Sequence, residues 1–312
     1  MAQLRASRRR VDGVLLLDKP PRISSNAALQ RAKRLLVAEK AGHTGTLDPL
    51  ATGLLPLCFG EATKFAHALL DARKEYLATV SFGIATDTGD AEGGRLRTCD
   101  VAFSRDELAA VLPRFVGTIA QVPPRFAALK HRGRNYYEYA RAGIEVPRAP
   151  RDVRIDAIDL LGWDPPQAVL RVVCGKGTYI RALAEDIAAA LGSCAHLAAL
   201  RRTAAGPFAI ERAVTLAVLE GMEVSERDAL LLPADSPLAD IERLDVDAAT
   251  AVALAQGRVG SGPAESNGRY RCYGPSGRFV GLVEAKGGEL HAVRLARTDR
   301  SGGNSCRTDG SG

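Results

Sequence analysis

No apolar run in this chain approaches the roughly 18 residues that a membrane-spanning helix requires, so nothing in it reads as a membrane protein. Arg5, Arg8, Arg9 and Arg10 open the chain, but only Val14 to Leu17 follow as an apolar stretch, too short for a secretory signal. Six cysteines (58, 99, 174, 194, 272 and 306) show no C-x-x-C spacing and no grouping with histidines. They argue against a zinc site and are expected as reduced, mostly buried thiols of a cytoplasmic protein. A G-x-G-x-x-G fingerprint and a Walker A loop are both missing, so no dinucleotide or nucleoside triphosphate site is signalled. There is no internal repeat.

What is present is a chain of 312 residues, long for one ordinary domain, with 46% hydrophobic and 25% charged residues, enough for a packed core. A net charge of +6 and a pI of about 9.1 favour a polyanionic partner without proving one. Residues 1–12 read as a loose basic arm. A strand is expected over Gly13–Asp18, then a helix capped by Ser24 or Ser25 and running to about Glu39. Its Arg31, Lys33 and Arg34 make a solvated face or an RNA contact. Tyr76–Phe82 alternates like a strand, and Ser104 with Glu107 forms a capping box for a helix to about Val116. Strands are expected at Val153–Leu161, Ala168–Cys174 and Ala195–Arg202, with a helix over Thr178–Leu191. Strands interspersed with helices, rather than strictly alternating, predict an α+β domain over 13–232 around a mixed or antiparallel sheet. Pro233–Pro237 reads as a linker. An amphipathic turn near Val246–Gln256 and strands at Arg269–Tyr273, Arg278–Val283 and Leu290–Leu295 form a small β-rich domain over 240–297. The polar, glycine-rich residues 298–312 read as disordered.

Three stretches carry chemistry. Gly42 to Pro56 holds three glycines and one carboxylate, Asp48, which Pro49 pushes off the helical backbone. Leu47, Leu50, Leu54 and Leu55 anchor it, so it is either a rigid platform for an acid beside His43 or a tight turn with a structural Asp. Between 125 and 154, eight basic residues face three acids, with Tyr136, Tyr137 and Tyr139 among them. That mixture suits a sugar-phosphate backbone with bases to stack on, or else a solvated surface helix. Gly175-Lys176-Gly177-Thr178 is a phosphate-binding turn or an ordinary strand-to-helix turn.

His43–Pro56 followed by Gly60-Glu61-Ala62-Thr63-Lys64 resembles the signature of the TruB family of tRNA pseudouridine synthases. Leu17-Asp18-Lys19-Pro20 with Ser24-Ser25-Asn26 is similar to the family's first motif. Lys74-Glu75-Tyr76, Thr86-Asp87-Thr88-Gly89-Asp90, Ala128-Leu129-Lys130, Gly175 to Arg181 and Leu200-Arg201-Arg202 follow in the family's order. The resemblance covers Gly13 to Phe208 and, more weakly, to Leu295. Arg22 departs from it, standing where the family has glycine. The resemblance implies a pseudouridine synthase catalytic domain, an insertion at about 125–152 that grips an RNA hairpin loop, and a PUA-like RNA-binding domain at the C-terminus.

It further implies conversion of uridine 55 in the T-arm of tRNA to pseudouridine, by base flipping, C1′–N1 cleavage and C1′–C5 rejoining. Asp48, Arg181 and Tyr76 are then the catalytic residues: nucleophile, its ion-pair partner, and the ring that stacks on the flipped base. His43, Tyr76, Tyr179, Leu200 and Lys64 become the substrate-binding residues, with Lys19-Pro20 buttressing the active loop. No cofactor and no protein partner are expected, and the chain is expected as a monomer. A guide-RNA-dependent synthase and a tRNA-folding chaperone stand as alternatives. The basic insertion disfavours the first and the Asp48–Arg181 combination the second.

Overall fold

The computed structural model describes residues 8–262 and 266–297. The expected tail at 298–312, and residues 1–7 of the expected arm, lie outside the described residues. The chain divides after Pro237 into two units.

In the first unit, β1 (Gly13–Lys19) has no polar face. Val14 and Leu16 pack with Leu54 and Phe208 on one side, while Leu15 and Leu17 join the main core on the other. Such a strand is stable only when covered on both faces. Arg9, expected in a loose arm, is bound: its backbone N–H donates to Val37 O at 2.8 Å, and its Nη1 to Asp228 Oδ2 at 2.7 Å. α1 (Ser25–Leu35) begins where the Ser24 side chain accepts from Ala27 N. It stops short of the expected Glu39, because the chain reverses at Val37, whose φ is 52°. On its basic face, Arg31 pairs with Glu220 at 2.6 Å.

The glycine-rich signature, expected as one loop, is partly strand. β2 (Ala41–His43) and β3 (Thr52–Phe59) enclose a loop of residues 44–51, and β3 runs antiparallel to β1. Gly53 holds φ 97°, and a Cβ there would lie 2.3 Å from Arg202 O, so only glycine permits this strand approach. α2 (Ala66–Asp71) leads to β4 (Lys74–Phe82) and a hairpin of β5 (Ile84–Thr86) and β6 (Arg95–Thr98). α3 (Arg105–Val111) carries the Ser104–Glu107 capping box but tightens into a 3-10 turn at Leu112–Phe115, short of Val116. After β7 (Gly117–Gln121), the basic insertion holds β8 (Lys130–His131), β9 (Arg134–Asn135) and α4 (Tyr136–Arg141). β10 (Arg151–Asp164), β11 (Gln167–Cys174), α5 (Ile180–Ala190) and β12 (Ala195–Ala205) follow. β13 (Phe208–Ala209), β14 (Val214–Thr215), α6 (Leu216–Gly221) and α7 (Val224–Ala229) complete the unit.

The strands form one mixed sheet in the order β14-β1-β3-β12-β4-β11-β10-β7, with β2 on β3 and β13 on β12. At its middle β3 and β12 run parallel and pair through Arg201↔Thr52 and Arg202↔Gly53. The loop of residues 44–51 leaves the sheet at this seam. Cys99 and Cys194, expected as reduced thiols, are joined as a disulfide. The 95-residue separation hid the pair, which the fold makes by setting Cys99 N and Cys194 O on either side of Gly83. Cys58, Cys174 and Cys272 are free and buried.

The second unit has its own core, in which Leu244, Leu254, Tyr270 and Val283 meet. β15 (Arg243–Asp245), β16 (Gly260–Ser261), β17 (Gly268–Gly274), β18 (Arg278–Lys286) and β19 (Glu289–Leu295) form a sheet in the order β15-β17-β18-β19-β16. The expected amphipathic turn is α8 (Ala248–Ala255), capped by Asp247. Among the described residues no helix is long and apolar enough to cross a membrane.

The departure at Arg22 has a visible cost. Arg22 adopts φ 65° so that its N–H can reach Pro49 O at 2.8 Å. A side chain in this region costs about 1–2 kcal/mol, of which a glycine returns about 0.4–1 through unfolded-state freedom. Arg22→Gly is therefore expected to stabilise the protein by a few tenths to about 1 kcal/mol, while Arg22→Ala, which keeps the Cβ, does not. Urea unfolding of the three proteins checks this; a lower midpoint for the glycine variant would refute the strain.

Candidate active site

Asp48 stands in the loop between β2 and β3, which is pinned from several sides. The buried Ser25 hydroxyl donates to Leu47 O at 2.9 Å and accepts from Leu47 N at 2.8 Å. Asp48 O accepts from Ala51 N at 3.1 Å. Lys19, fully buried, donates from Nζ to Pro20 O (2.9 Å), Ile23 O (2.8 Å) and Pro49 O (3.3 Å). Burial pulls its ammonium pKa down to about 8, against the attraction of Asp48. Lys19 is thus a strut beneath the loop, its donors spent on backbone.

Across the seam, α5 starts at Ile180 and brings in Arg181, only 4% exposed. Its Nη2 lies 2.9 Å from Asp48 Oδ2 and also donates to Phe126 O at 2.8 Å. Nη1 donates to Thr88 O at 2.7 Å, and Nε is 3.8 Å from Asp90 Oδ2. One guanidinium is therefore held by two carbonyls between two carboxylates, a use its planar fork allows and an ammonium does not. Burial pushes the Asp48 carboxyl above its ordinary range; Arg181 is the main opposing influence, and Asp90 adds to the rise. Tyr179, just before α5, is fixed by Gln121, whose amide accepts from Tyr179 N at 2.8 Å and donates to Tyr179 O at 3.1 Å.

These groups border a cleft of about 440 Å³ lined by Asp48, Lys74, Tyr76, Tyr179, Leu200 and Arg202, among others, and by the turn Gly175–Thr178. Of the residues singled out from sequence, Asp48, Tyr76, Tyr179, Arg181 and Leu200 meet here. His43 ends β2 outside the lining; its Nδ1 is buried without a hydrogen-bond partner, and burial together with Arg202 lowers its pKa, keeping the ring neutral. Lys64 sits in the 3-10 turn Gly60–Lys64, pairs with Glu61 at 2.6 Å, and does not line the cleft.

The insertion presents a hairpin with Arg132 at its tip, at φ 48°. Arg134 lies over the Tyr139 ring at 5.2 Å and Arg141 over Tyr137 at 5.5 Å. Tyr136 is 7% exposed and belongs to the insertion's own packing. Three residues escaped the sequence reading. Asp90 was visible within Thr86–Asp90 but carried no role; Gln121 had no local signal; Arg202 was seen only as part of Leu200-Arg201-Arg202.

This seam, which sets an aspartate against a helix-borne arginine with tyrosines and a basic insertion around it, belongs to a chain whose sequence is that of a pseudouridylate synthase. Residues 33–180 match the N-terminal domain of the TruB family pseudouridylate synthases. Residues 181–239 match the tRNA pseudouridylate synthase B C-terminal domain, and 241–297 the tRNA pseudouridine synthase II C-terminal domain. The chain belongs to the TruB family. It is 54% identical over 95% of its length to the tRNA pseudouridine synthase B of Thiobacillus denitrificans, covering 99% of that protein. Against that of Aromatoleum aromaticum it is 53% identical, over 95% of this chain and 96% of the relative. Among solved structures it is similar to a chain of the archaeal box H/ACA sRNP Nop10–Cbf5 complex, with a TM-score of 0.68 and 27% identity over 94% of this chain and 88% of that one.

Arg181→Met removes the chief influence that keeps Asp48 ionised, so the carboxyl pKa, already raised, rises further. The acid limb of the pH–rate profile should move to higher pH. The saturated single-turnover rate should fall about 100-fold or more near neutrality and partly recover as pH increases. Arg181→Lys should lie between Met and wild type. A normal saturated rate for the Met variant would refute the ion-pair role.

Proposed function

We propose that this chain isomerises the uridine at position 55, in the T-loop of tRNA, to pseudouridine. The relatives it matches over nearly their whole length are named tRNA pseudouridine synthases, and the T-loop position is the one that the motif resemblance implies. The observation that carries the chemistry is the Asp48–Arg181 pair at 2.9 Å beside the cleft that Tyr76, Tyr179 and Leu200 line. The C1′–N1 bond breaks and its electron pair leaves with the base; the base turns, C1′ joins C5, the C5 proton is lost and N1 gains one. Asp48 supplies the carboxylate that meets the sugar carbon, and Arg181 keeps it ionised and aimed. No net redox change or hydrolysis occurs, so the reaction calls for neither a nicotinamide nor a nucleotide.

The target base leaves its stack at a cost of a few kcal/mol, and stacking on Tyr76 recovers about 1–3 kcal/mol. Leu200 and Tyr179 close the pocket around it. His43, neutral at its ring, fits the gap that the flipped base leaves in the RNA, and Lys64 serves the RNA backbone. The insertion grips the T-arm hairpin through Arg132, Arg134 and Arg141, with Tyr137 and Tyr139 as the stacking rings. The β-rich second unit adds RNA contacts.

The chain acts as a monomer in the cytoplasm, without guide RNA or protein partner. Two features favour this over a guide-dependent enzyme: its own basic insertion, and twice the identity to the tRNA enzymes that it has to the H/ACA protein. Purified protein alone should therefore convert a bare T-arm transcript.

Asp48→Asn keeps the shape of the side chain but removes its charge. Pseudouridine formation should fall more than about a thousandfold, while RNA affinity stays within a few fold; tritium release from C5-labelled transcript reads the first and filter binding the second. Turnover above that level would show that another group does the chemistry.

Replacing Arg132, Arg134 and Arg141 together by Ala should weaken RNA binding and flatten its salt dependence, each lost phosphate contact lowering the log–log slope by about 0.7–0.9. An unchanged slope would return the insertion to the status of a solvated surface.

A further inference from the structure

Gln121 ends β7, the last strand of the sheet, and its side chain is buried, with only 2% of the residue exposed. A buried carboxamide must find partners for both of its ends. Here both partners belong to one residue. Oε1 accepts from Tyr179 N at 2.8 Å, and Nε2 donates to Tyr179 O at 3.1 Å. Chemistry fixes this orientation of the amide, because a backbone N–H only donates and a carbonyl only accepts. An ionised carboxylate, which only accepts, could not make the same two-point grip.

Tyr179 has little else to fix it. It stands just outside α5 at φ −101° and ψ 109°, after a turn in which Gly177 holds φ 79°. Its carbonyl also accepts from Leu183 N at 3.0 Å. Among the described residues, however, its N–H donates to Gln121 alone and its hydroxyl makes no hydrogen bond. Arg181, two residues on, is held directly by Asp48, Thr88 O and Phe126 O and does not depend on this grip. The Tyr179 ring does depend on it. Fixing the backbone of a residue fixes the direction of its Cα–Cβ bond, and the half-buried ring that follows lines the cleft with Asp48 and Leu200. A base enclosed there must present its sugar carbon to Asp48, and a displacement of about 1 Å in such a site can cost about 100-fold in rate.

We infer that Gln121 is a positioning residue for this reaction, holding the Tyr179 backbone so that the ring closes the cleft that Asp48 borders. The inference rests on the isomerase reading. It assigns to Gln121 an effect on the chemical step that passes through the Tyr179 ring, not through RNA binding.

A double-mutant cycle tests it. Gln121→Met keeps the length and bulk of the side chain but makes neither bond. Gln121→Asn keeps the amide and holds it one methylene short. These two, Tyr179→Ala and the two double variants are compared in single-turnover assays at saturating enzyme on a T-arm transcript. RNA affinity and thermal melting are measured for each, and rates are read well below the lowest melting temperature. The saturated rate of Gln121→Met should fall about 10- to 100-fold, with affinity within a few fold, and Gln121→Asn should lie between it and wild type. Tyr179→Ala should lose at least as much as Gln121→Met. In its background neither Gln121 substitution should lower the rate further, since the ring they act through is already gone. If Gln121→Met does not fold, the Asn arm of the cycle gives the same comparison. Equal losses in both backgrounds would overturn the inference, making Gln121 a structural tie between β7 and α5. A normal saturated rate for both Gln121 variants, or a loss confined to affinity or melting, would overturn it too. Wild-type protein that makes no pseudouridine would refute the isomerase reading and, with it, this one.

Discussion

The Arg181 guanidinium is the point on which the site depends. It is almost fully buried, and its five donors are divided among the Asp48 carboxylate, the Thr88 and Phe126 carbonyls and, more distantly, Asp90. These partners come from the loop after β2, the turn after β5 and the start of the basic insertion. A single side chain therefore ties together segments that share no strand pairing, and it does so with charge in a water-poor place where unpaired charge is costly. The arrangement explains why Asp48 can be both hard to ionise by burial and still available as a carboxylate.

The pinning of the loop follows a second rule, that buried polar groups must find partners. Ser25, Lys19 and Arg202 all spend donors on backbone carbonyls in or beside residues 44–54. A glycine-rich segment, which has little apolar surface with which to hold itself, is thereby fixed by side chains from β1, α1 and β12. Gly53 marks the other side of the same bargain, since its missing Cβ lets β3 and β12 meet. The cleft opens beside the place where those two strands part.

Charge is distributed to match. At the seam the buried Arg181 guanidinium meets the half-exposed Asp48 carboxylate and the buried Asp90, whereas the insertion carries exposed arginines laid over tyrosine rings. The buried charges set the protonation of a few groups; the exposed ones act at longer range and are sensitive to salt. α1 belongs to neither, because Arg31 is taken up by Glu220.

Much was legible in the chain itself, for local reasons. Strand alternation in β4 and β11, the Ser104 capping box and the Asp-Pro in a glycine-rich stretch are written in neighbouring residues, and motif order was enough to bring Asp48, Tyr76, Tyr179, Arg181 and Leu200 to one site. What tertiary structure alone decided was pairing across distance. The partnership of Arg181 with Asp90, of Gln121 with Tyr179, of Arg202 with the Gly45 and Leu54 carbonyls and of Cys99 with Cys194 joins residues tens of positions apart, and no local period encodes such contacts. Tyr136 shows the converse: it has the residue type for stacking on RNA, but it is buried in the packing of its own insertion. The early end of α1 and the strand hidden in the glycine-rich signature have the same origin. Propensity proposes a local conformation, and long-range packing and hydrogen bonding in the sheet choose among the candidates.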